Sequence, residues 1–305
     1  MAATGSSSAA STRPASGPLF ALGAFLSWGL GPVYFRAIAS VPAWEVLVHR
    51  VVWTLVLLLP AAVALRRLPV AARALREPRT LRALFASTSL IAVNWLLFIW
   101  AVQSGRVLDA SLGYFINPLV NVALGRVFLG ERLRRAQIVA VALAAASVGL
   151  LAVTADRTPW IALTLGVSFG MYGLIRKTTA LDSMTGLMLE TALLLPPALG
   201  VLLWLGATGR GSFGGSTSTT ALLAASGIVT AVPLLCFVAA ARRMTLTALG
   251  FFQYIAPTSH FLLAVFFYGE PFARPQVLAF LGIWTALGVV SADAVVARRL
   301  ALRAA

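Results

Sequence analysis

Charge and sulfur are both scarce in this chain of 305 residues: nine Asp and Glu, two His, one Cys, and 11% charged residues in all. A soluble domain carries about 25% charged residues. Cys236 stands alone, so no internal disulfide is available. His49 and His260 lie far apart, and the few carboxylates share no metal-ligand spacing, so no metal site is expected. No Walker A loop or other nucleotide motif appears either, so no cofactor is expected and no direct use of nucleotide energy.

What the chain has in excess is apolar surface: 60% hydrophobic residues and a mean hydropathy of +0.91. These residues come in runs of roughly twenty, the length that crosses a hydrocarbon layer of about 30 Å. That excludes a soluble enzyme, a disordered chain and an outer-membrane barrel, whose strands would be short and alternating. A net charge of +15 elsewhere suggests nucleic acid. Here the basic residues fall between the apolar runs, where membrane orientation explains them. The expected partners are the lipid bilayer and a small-molecule substrate, with no nucleic acid; a homodimer stays open.

Residues 1–17 are small, polar and proline-containing and read as a disordered tail on the cytoplasmic side. The apolar stretch after them is too long for a signal h-region and has no A-x-A cleavage site, so it reads as an uncleaved first span. Ten spans are predicted, over 18–38, 44–65, 83–103, 108–128, 135–154, 159–178, 184–205, 219–240, 245–268 and 275–294. Each should be a helix, because lipid offers no partner for backbone hydrogen bonds. With the N terminus inside, the inner connections hold Arg66, Arg67, Arg73, Arg76, Arg79 and Arg82, then Arg126 to Arg135, Arg176–Lys177, Arg242–Arg243 and Arg298–Arg303. The outer connections hold single arginines, Arg36, Arg106, Arg157, Arg210 and Arg274. The alternation runs the whole length of the chain and puts both termini in the cytoplasm.

The two halves echo each other. GYFINPLVNVALGRVFLGERL (113–133) matches GFFQYIAPTSHFLLAVFFYGEPF (250–272) at a shift of 139, pairing Pro118 with Pro257 and Glu131 with Glu270. SWGLGPVYFR (27–36) matches SFGMYGLIRK (168–177) at a shift of 141. Five spans per half is an odd number, so the second half must enter from the opposite side. The expected fold is therefore all-α: ten transmembrane helices as two inverted five-helix repeats, 18–154 and 159–294, with 295–305 as a cytoplasmic tail. Secondary transporters use this layout, with the site near the midplane where the repeats meet.

SWGLGPVYFR, VPAWEVLVHRVVW, NWLLFIWAV, ASLGYFINPLVNVALG and FLGERL together resemble the RarD-type branch of the EamA family, within the drug/metabolite transporter superfamily. The resemblance covers about 18–294. It implies a ten-helix inner-membrane carrier with inverted repeats, an exporter of small metabolites or drugs.

Ionisable and polar groups inside spans mark the candidate pathway. Glu45 and His49 are four apart, so the carboxylate can hold an imidazolium, and His49 can change charge near neutral pH. Arg50 can bind an anionic group bidentately. The alternative for all three is an ion-pair cluster that fixes the helix. Glu190 sits deep in the seventh span, where it serves proton coupling or a cationic substrate, or else partners a buried arginine. Tyr114, Asn117 and Asn121 share a face around Pro118, as Gln253 and His260 do around Pro257, with Tyr254 beside them. Each proline removes a helix donor and displaces the carbonyl four residues earlier, so both helices are expected to kink. Asn94 and Trp95 offer an amide beside an aromatic surface. Simple interhelical hydrogen bonding and packing compete with a pathway role for each of these residues.

The favoured function is a secondary transporter working by alternating access, with proton coupling through His49 or Glu190. An uncoupled facilitator or channel is the alternative, although rings of like charge and a repeated filter loop are absent. A lipid-modifying intramembrane enzyme is remote: with two separated histidines and no paired intramembrane Asp, no catalytic constellation assembles, and no enzyme is expected.

Overall fold

The computed structural model describes residues 16–103, 107–153, 160–263, 266 and 274–304. Among these residues there are thirteen helices and no strand: α1 (Ser16–Gly29), α2 (Gly31–Ala37), α3 (Ala43–Ala64), α4 (Leu68–Arg76), α5 (Pro78–Gln103), α6 (Val107–Leu129), α7 (Arg135–Val153), α8 (Trp160–Thr178), α9 (Ser183–Thr208), α10 (Thr217–Ala241), α11 (Leu246–Gln253), α12 (Ile255–Leu262) and α13 (Arg274–Ala304). Every predicted span falls on helix as far as it is described. Six stretches, beginning with Ser16–Ala37 and ending with Thr217–Ala241, are long and apolar enough to cross a bilayer, and Gly113–Leu129 and Val277–Asp293 are shorter apolar helices.

Two departures and one expected break have local causes. The first span is two helices, because Leu30 turns and Pro32 opens α2 in the first turn, where its missing N–H is harmless. The ninth span breaks at Tyr254, where the ring of Pro257 obstructs the carbonyl of Gln253 four residues earlier. The basic stretch 66–82 contains a helix the sequence reading missed: α4 buries Ala71 and Ala74 and turns Arg73 and Arg76 outward. The predicted disordered tail 1–17 lies outside the described residues apart from Ser16 and Gly17, which are helical, and α13 runs on through 295–304.

The main apolar core gathers Ala21, Phe25, Leu58, Ile91, Trp95, Tyr172, Leu187, Leu234, Phe237 and Leu249 from α1, α3, α5, α8, α9, α10 and α11. A second core, with Phe115, Ala144, Phe251, Tyr254 and Ile283, joins α6, α7, α11 and α13. The outer face stays apolar, with Leu203 74% and Leu19 67% exposed. In water such a surface would aggregate. In lipid it is the expected boundary of a multi-pass membrane protein.

Helix neighbours come in matched sets. α1 packs on α10 as α8 packs on α5; α6 packs on α8 as α11 and α12 pack on α1; α3 packs on α10 as α9 packs on α5. α7 packs on α13, α3 on α9, and α6 on α11. Two glycines at matching positions mark close approaches. A Cβ on Gly29 would lie 2.6 Å from that of Ser259, and one on Gly170 would lie 2.6 Å from Cγ1 of Val120. The shift of 141 equates Gly29 with Gly170, and the shift of 139 equates Val120 with Ser259.

Candidate central cavity

A cavity of about 400 Å³ opens at the α2–α3 end, where Arg36, Ala39, Val41 and Ala43 line its mouth. It narrows inward to Arg50, Tyr114 and His260. A smaller space of about 80 Å³ continues from there, lined by Asn94, Trp95, Asn117, Phe169 and Gln253. Trp28, Phe35, Arg50, Phe98 and Tyr114 border both, so Arg50 stands at the junction. The size suits a small organic molecule.

Arg50 is only 7% exposed. Its Nε donates to Thr230 Oγ1 at 2.8 Å, and its guanidinium carbon lies 4.7 Å from the centre of the Trp95 ring and 5.8 Å from that of Phe35. Among the described residues it forms no ion pair, and no described Asp or Glu lines either space. Asn94 spends its amide on the Leu165 carbonyl and Ser168 Oγ, both at 2.9 Å. Tyr114 meets Phe98 and His260 edge-on, and His260 Nε2 lies 3.1 Å from the Trp28 carbonyl oxygen. Asn117 is buried with an unpartnered Oδ1. Asn121 Nδ2 donates to Gln253 Oε1 at 2.6 Å, while Asn121 Oδ1 and Gln253 Nε2 have no partner. Among the described residues no three His, Cys, Asp or Glu side chains come together to hold a metal.

Five of the sequence candidates point elsewhere, Glu190 among them. Tyr254 follows Gln253 by one residue, a turn of about 100° along a helix, and packs its ring against Phe115 in the second core. Asn121 is fully buried behind Gln253 and lines neither space. His49 is likewise one residue from Arg50 and faces away from it. Both its ring nitrogens lack partners, and its ring stacks on Phe213 at 5.1 Å. Glu45 does not hold His49: its carboxylate accepts from Ser212, backbone N at 2.5 Å and Oγ at 2.9 Å. The Gly/Ser-rich connection between α9 and α10 is thus fastened onto α3. Its Phe213 was the one signal available.

Glu190 also lines neither space. Its Oε1 accepts from Ser87 Oγ at 2.5 Å and lies 3.5 Å from Arg176 Nε, and its Oε2 accepts from Tyr172 at 3.3 Å. Both members of that ion pair are 1% exposed. Arg176 Nη2 donates onward to the carbonyls of Asp182 and Ser183. Tyr172 joins this network to a ring cluster at the cavity floor, where Phe169 and Phe237 are 4.8 Å apart and Trp28 meets Phe169 at 5.4 Å. Below the rings the chain is tied shut. Lys177 Nζ donates to the carbonyls of Ala241 and Met244, and Arg242 to those of Thr179 and Leu181. Glu131 caps α11, accepting from the backbone N–H of Leu246 and Thr247 and from the Thr247 hydroxyl. The cavity lining reaches the exposed residues Arg36 and Ala39 at the α2–α3 end and includes none of the residues of the tied end.

A multi-pass helical protein with such a chamber falls in the class of membrane transporters, and comparisons with known proteins agree. The family model described as the EamA-like transporter family matches residues 15–153. An uncharacterized transporter of Vibrio cholerae is 46% identical over 94% of this chain and 96% of its own. Protein RarD of Escherichia coli K12 is 46% identical over 93% of this chain and 96% of its own. The chain belongs to the EamA family, on its RarD-type branch, within the drug/metabolite transporter superfamily. One solved crystal structure shares the fold, with a TM-score of 0.69 at 20% identity over 93% of this chain and 98% of the other.

Proposed function

We propose that this protein is a secondary transporter of the inner membrane that exports a small organic solute by alternating access through the Arg50 cavity. Its ten membrane-crossing segments form two inverted five-helix repeats, 18–154 and 159–294, with both termini in the cytoplasm. The observation that carries this reading is a chamber that helices of both halves enclose around a buried, unpaired arginine. Matched contacts support the repeats. The Gly29–Ser259 approach has its counterpart in Gly170–Val120, and the Asn121–Gln253 bond has its counterpart in the His260–Tyr114 ring contact, residue for residue under the two shifts. Two units that exchange such contacts can rock about a shared centre.

In this arrangement the open end faces outward and the ring cluster of Phe169 and Phe237 is the closed inner gate. Of the two candidate proton carriers, His49 fits better. Its ring nitrogens are free of partners, whereas Glu190 is engaged by Ser87, Tyr172 and Arg176. The names of the relatives, transporter and RarD, agree with carriage of a solute and say nothing of which one.

Counterflow in proteoliposomes tests the reading: purified protein should exchange an internal solute for a labelled external one, among amino acids, nucleosides, phenicols and aryl acids. Exchange of none of these, with the protein folded and inserted, contradicts it. An imposed proton gradient should drive net flux in the wild type and not in His49→Gln.

A further inference from the structure

We infer that the Arg50 cavity selects a compact organic monocarboxylate with a flat apolar body and a second, uncharged hydrogen-bonding group, in preference to neutral and cationic analogues. The inference takes from the transport reading only that the cavity is a substrate site.

A buried guanidinium without a counter-ion is costly, and proteins supply one where they have no use for the vacancy. Arg176 receives Glu190. Arg50, comparably buried, receives a neutral hydroxyl at one of its five N–H groups; among the described residues its two Nη groups have no hydrogen-bond partner, and the residue lines both spaces. The planar fork matches a carboxylate bidentately. One arginine at the junction balances one negative charge. An ammonium ion would meet that guanidinium with no described Asp or Glu on the lining to offset the repulsion.

The walls give the rest of the ligand. Trp95 and Phe35 lie over the guanidinium, and Trp28, Phe98 and Tyr114 line the same spaces; ring faces and edges of this kind favour a planar apolar body. Beyond them, Asn117 Oδ1 and Gln253 Nε2 are buried polar atoms without partners. Such atoms discriminate strongly against a ligand that leaves them unpaired. They are amides, so the group that answers them is neutral.

The test uses the purified full-length chain in nanodiscs and three probes of one shape: 3-phenylpropanoate, 3-phenylpropanamide and 3-phenylpropylammonium. Tryptophan fluorescence reports occupancy, because Trp28 and Trp95 line the site, and ligand-induced thermal stabilisation is the second readout. The carboxylate should bind about tenfold or more tightly than the amide, the advantage of a charge-assisted hydrogen bond over a neutral one, and the ammonium most weakly. A hydroxyl or amide placed on the far edge of the carboxylate's ring should tighten it further. Arg50→Gln should bring the carboxylate down to the affinity of the amide, with Arg50→Lys between. The wild-type series alone decides the matter if Arg50→Gln does not fold. Equal affinity for amide and carboxylate, tightest binding of the ammonium, retention of the preference in Arg50→Gln, or no response to any of the three overturns the inference. Carboxylate binding through Arg50 without counterflow would overturn the transport reading and leave the anion site standing. Counterflow of the amide or ammonium with no carboxylate preference would do the reverse.

Discussion

Among the described residues two arginines are buried, and the chain treats them in opposite ways. Arg176, on α8, is fully enclosed and sits against Glu190, with the carbonyls of Asp182 and Ser183 beyond. A Cβ on Gly186 would collide with its guanidinium, so the surrounding helix is shaped to it. Arg50, on α3, has Thr230, the faces of Trp95 and Phe35, and an open chamber. A charge that only holds a fold together is best neutralised on the spot. A charge left without its opposite inside lipid costs stability continuously, and is kept where something arrives to complete it.

Removing the partner of the first arginine should produce the largest loss. Glu190→Ala strands Arg176 in the interior and should cost about 3–5 kcal/mol, read as a lower melting temperature in detergent and poor recovery from the membrane. The double variant Arg176→Met, Glu190→Leu should regain most of it, because a packed apolar pair avoids the desolvation. Arg50→Gln should leave the melting temperature within a few degrees and abolish selective binding. A Glu190→Ala protein as stable as the wild type, or an Arg50→Gln protein that unfolds, breaks the contrast.

Smaller effects sharpen it. Gly29→Leu and Gly170→Leu should each cost about 1–3 kcal/mol through overpacking, against Ser259 and Val120 respectively. If the halves are structurally equivalent, the two costs should agree; a wide disparity in melting temperature would count against the repeat. Glu131→Ala should cost about 1 kcal/mol, since α11 loses the acceptor for its first N–H groups, and should loosen the closed end without touching Arg50. The smallest effect is at Asp182, which caps α9. Its partial burial raises the carboxyl pKa, but the Thr185 hydroxyl and N–H, the Arg67 charge and the Met184 N–H outweigh that and leave it below its usual value. A carboxyl held low in the fold stabilises above its unfolded pKa of about 3.9, and that contribution fades as pH falls through the lower folded value. Below about pH 4 the wild type should therefore lose more of its melting temperature than Asp182→Asn does, a difference that acid melting curves would show.

Much of the helix layout was legible because lipid leaves so few choices. A run of twenty apolar residues has to be a helix, and the break near Pro257 follows from ring sterics alone. α4 escaped because a nine-residue amphipathic helix buries only two alanines and looks like a run of charge. At the site, Arg50, Trp95, Tyr114 and Asn117 were legible as polar or aromatic residues at membrane depth. Phe35 and Thr230 were not, since Phe35 looks like any apolar residue and Thr230 reaches Arg50 only through the fold, 180 residues along the chain. Glu190 was correctly singled out as intramembrane, but nothing in its spacing shows that α9 turns it toward Arg176 and away from the chamber. The attachment of Ser212 and Phe213 to Glu45 and His49 was hidden by the Gly-rich composition around them.

The central claim is that the chamber beside Arg50 is the path a solute takes across the membrane. Val229→Cys, on the cavity wall one residue from Thr230, in a Cys236→Ser background, tests it with a membrane-impermeant maleimide applied to right-side-out and inside-out vesicles. The account predicts modification from both sides, slowed by 3-phenylpropanoate when Arg50 is present and not in Arg50→Gln. Modification from a single side only, or labelling indifferent to the carboxylate in the wild type, would contradict it.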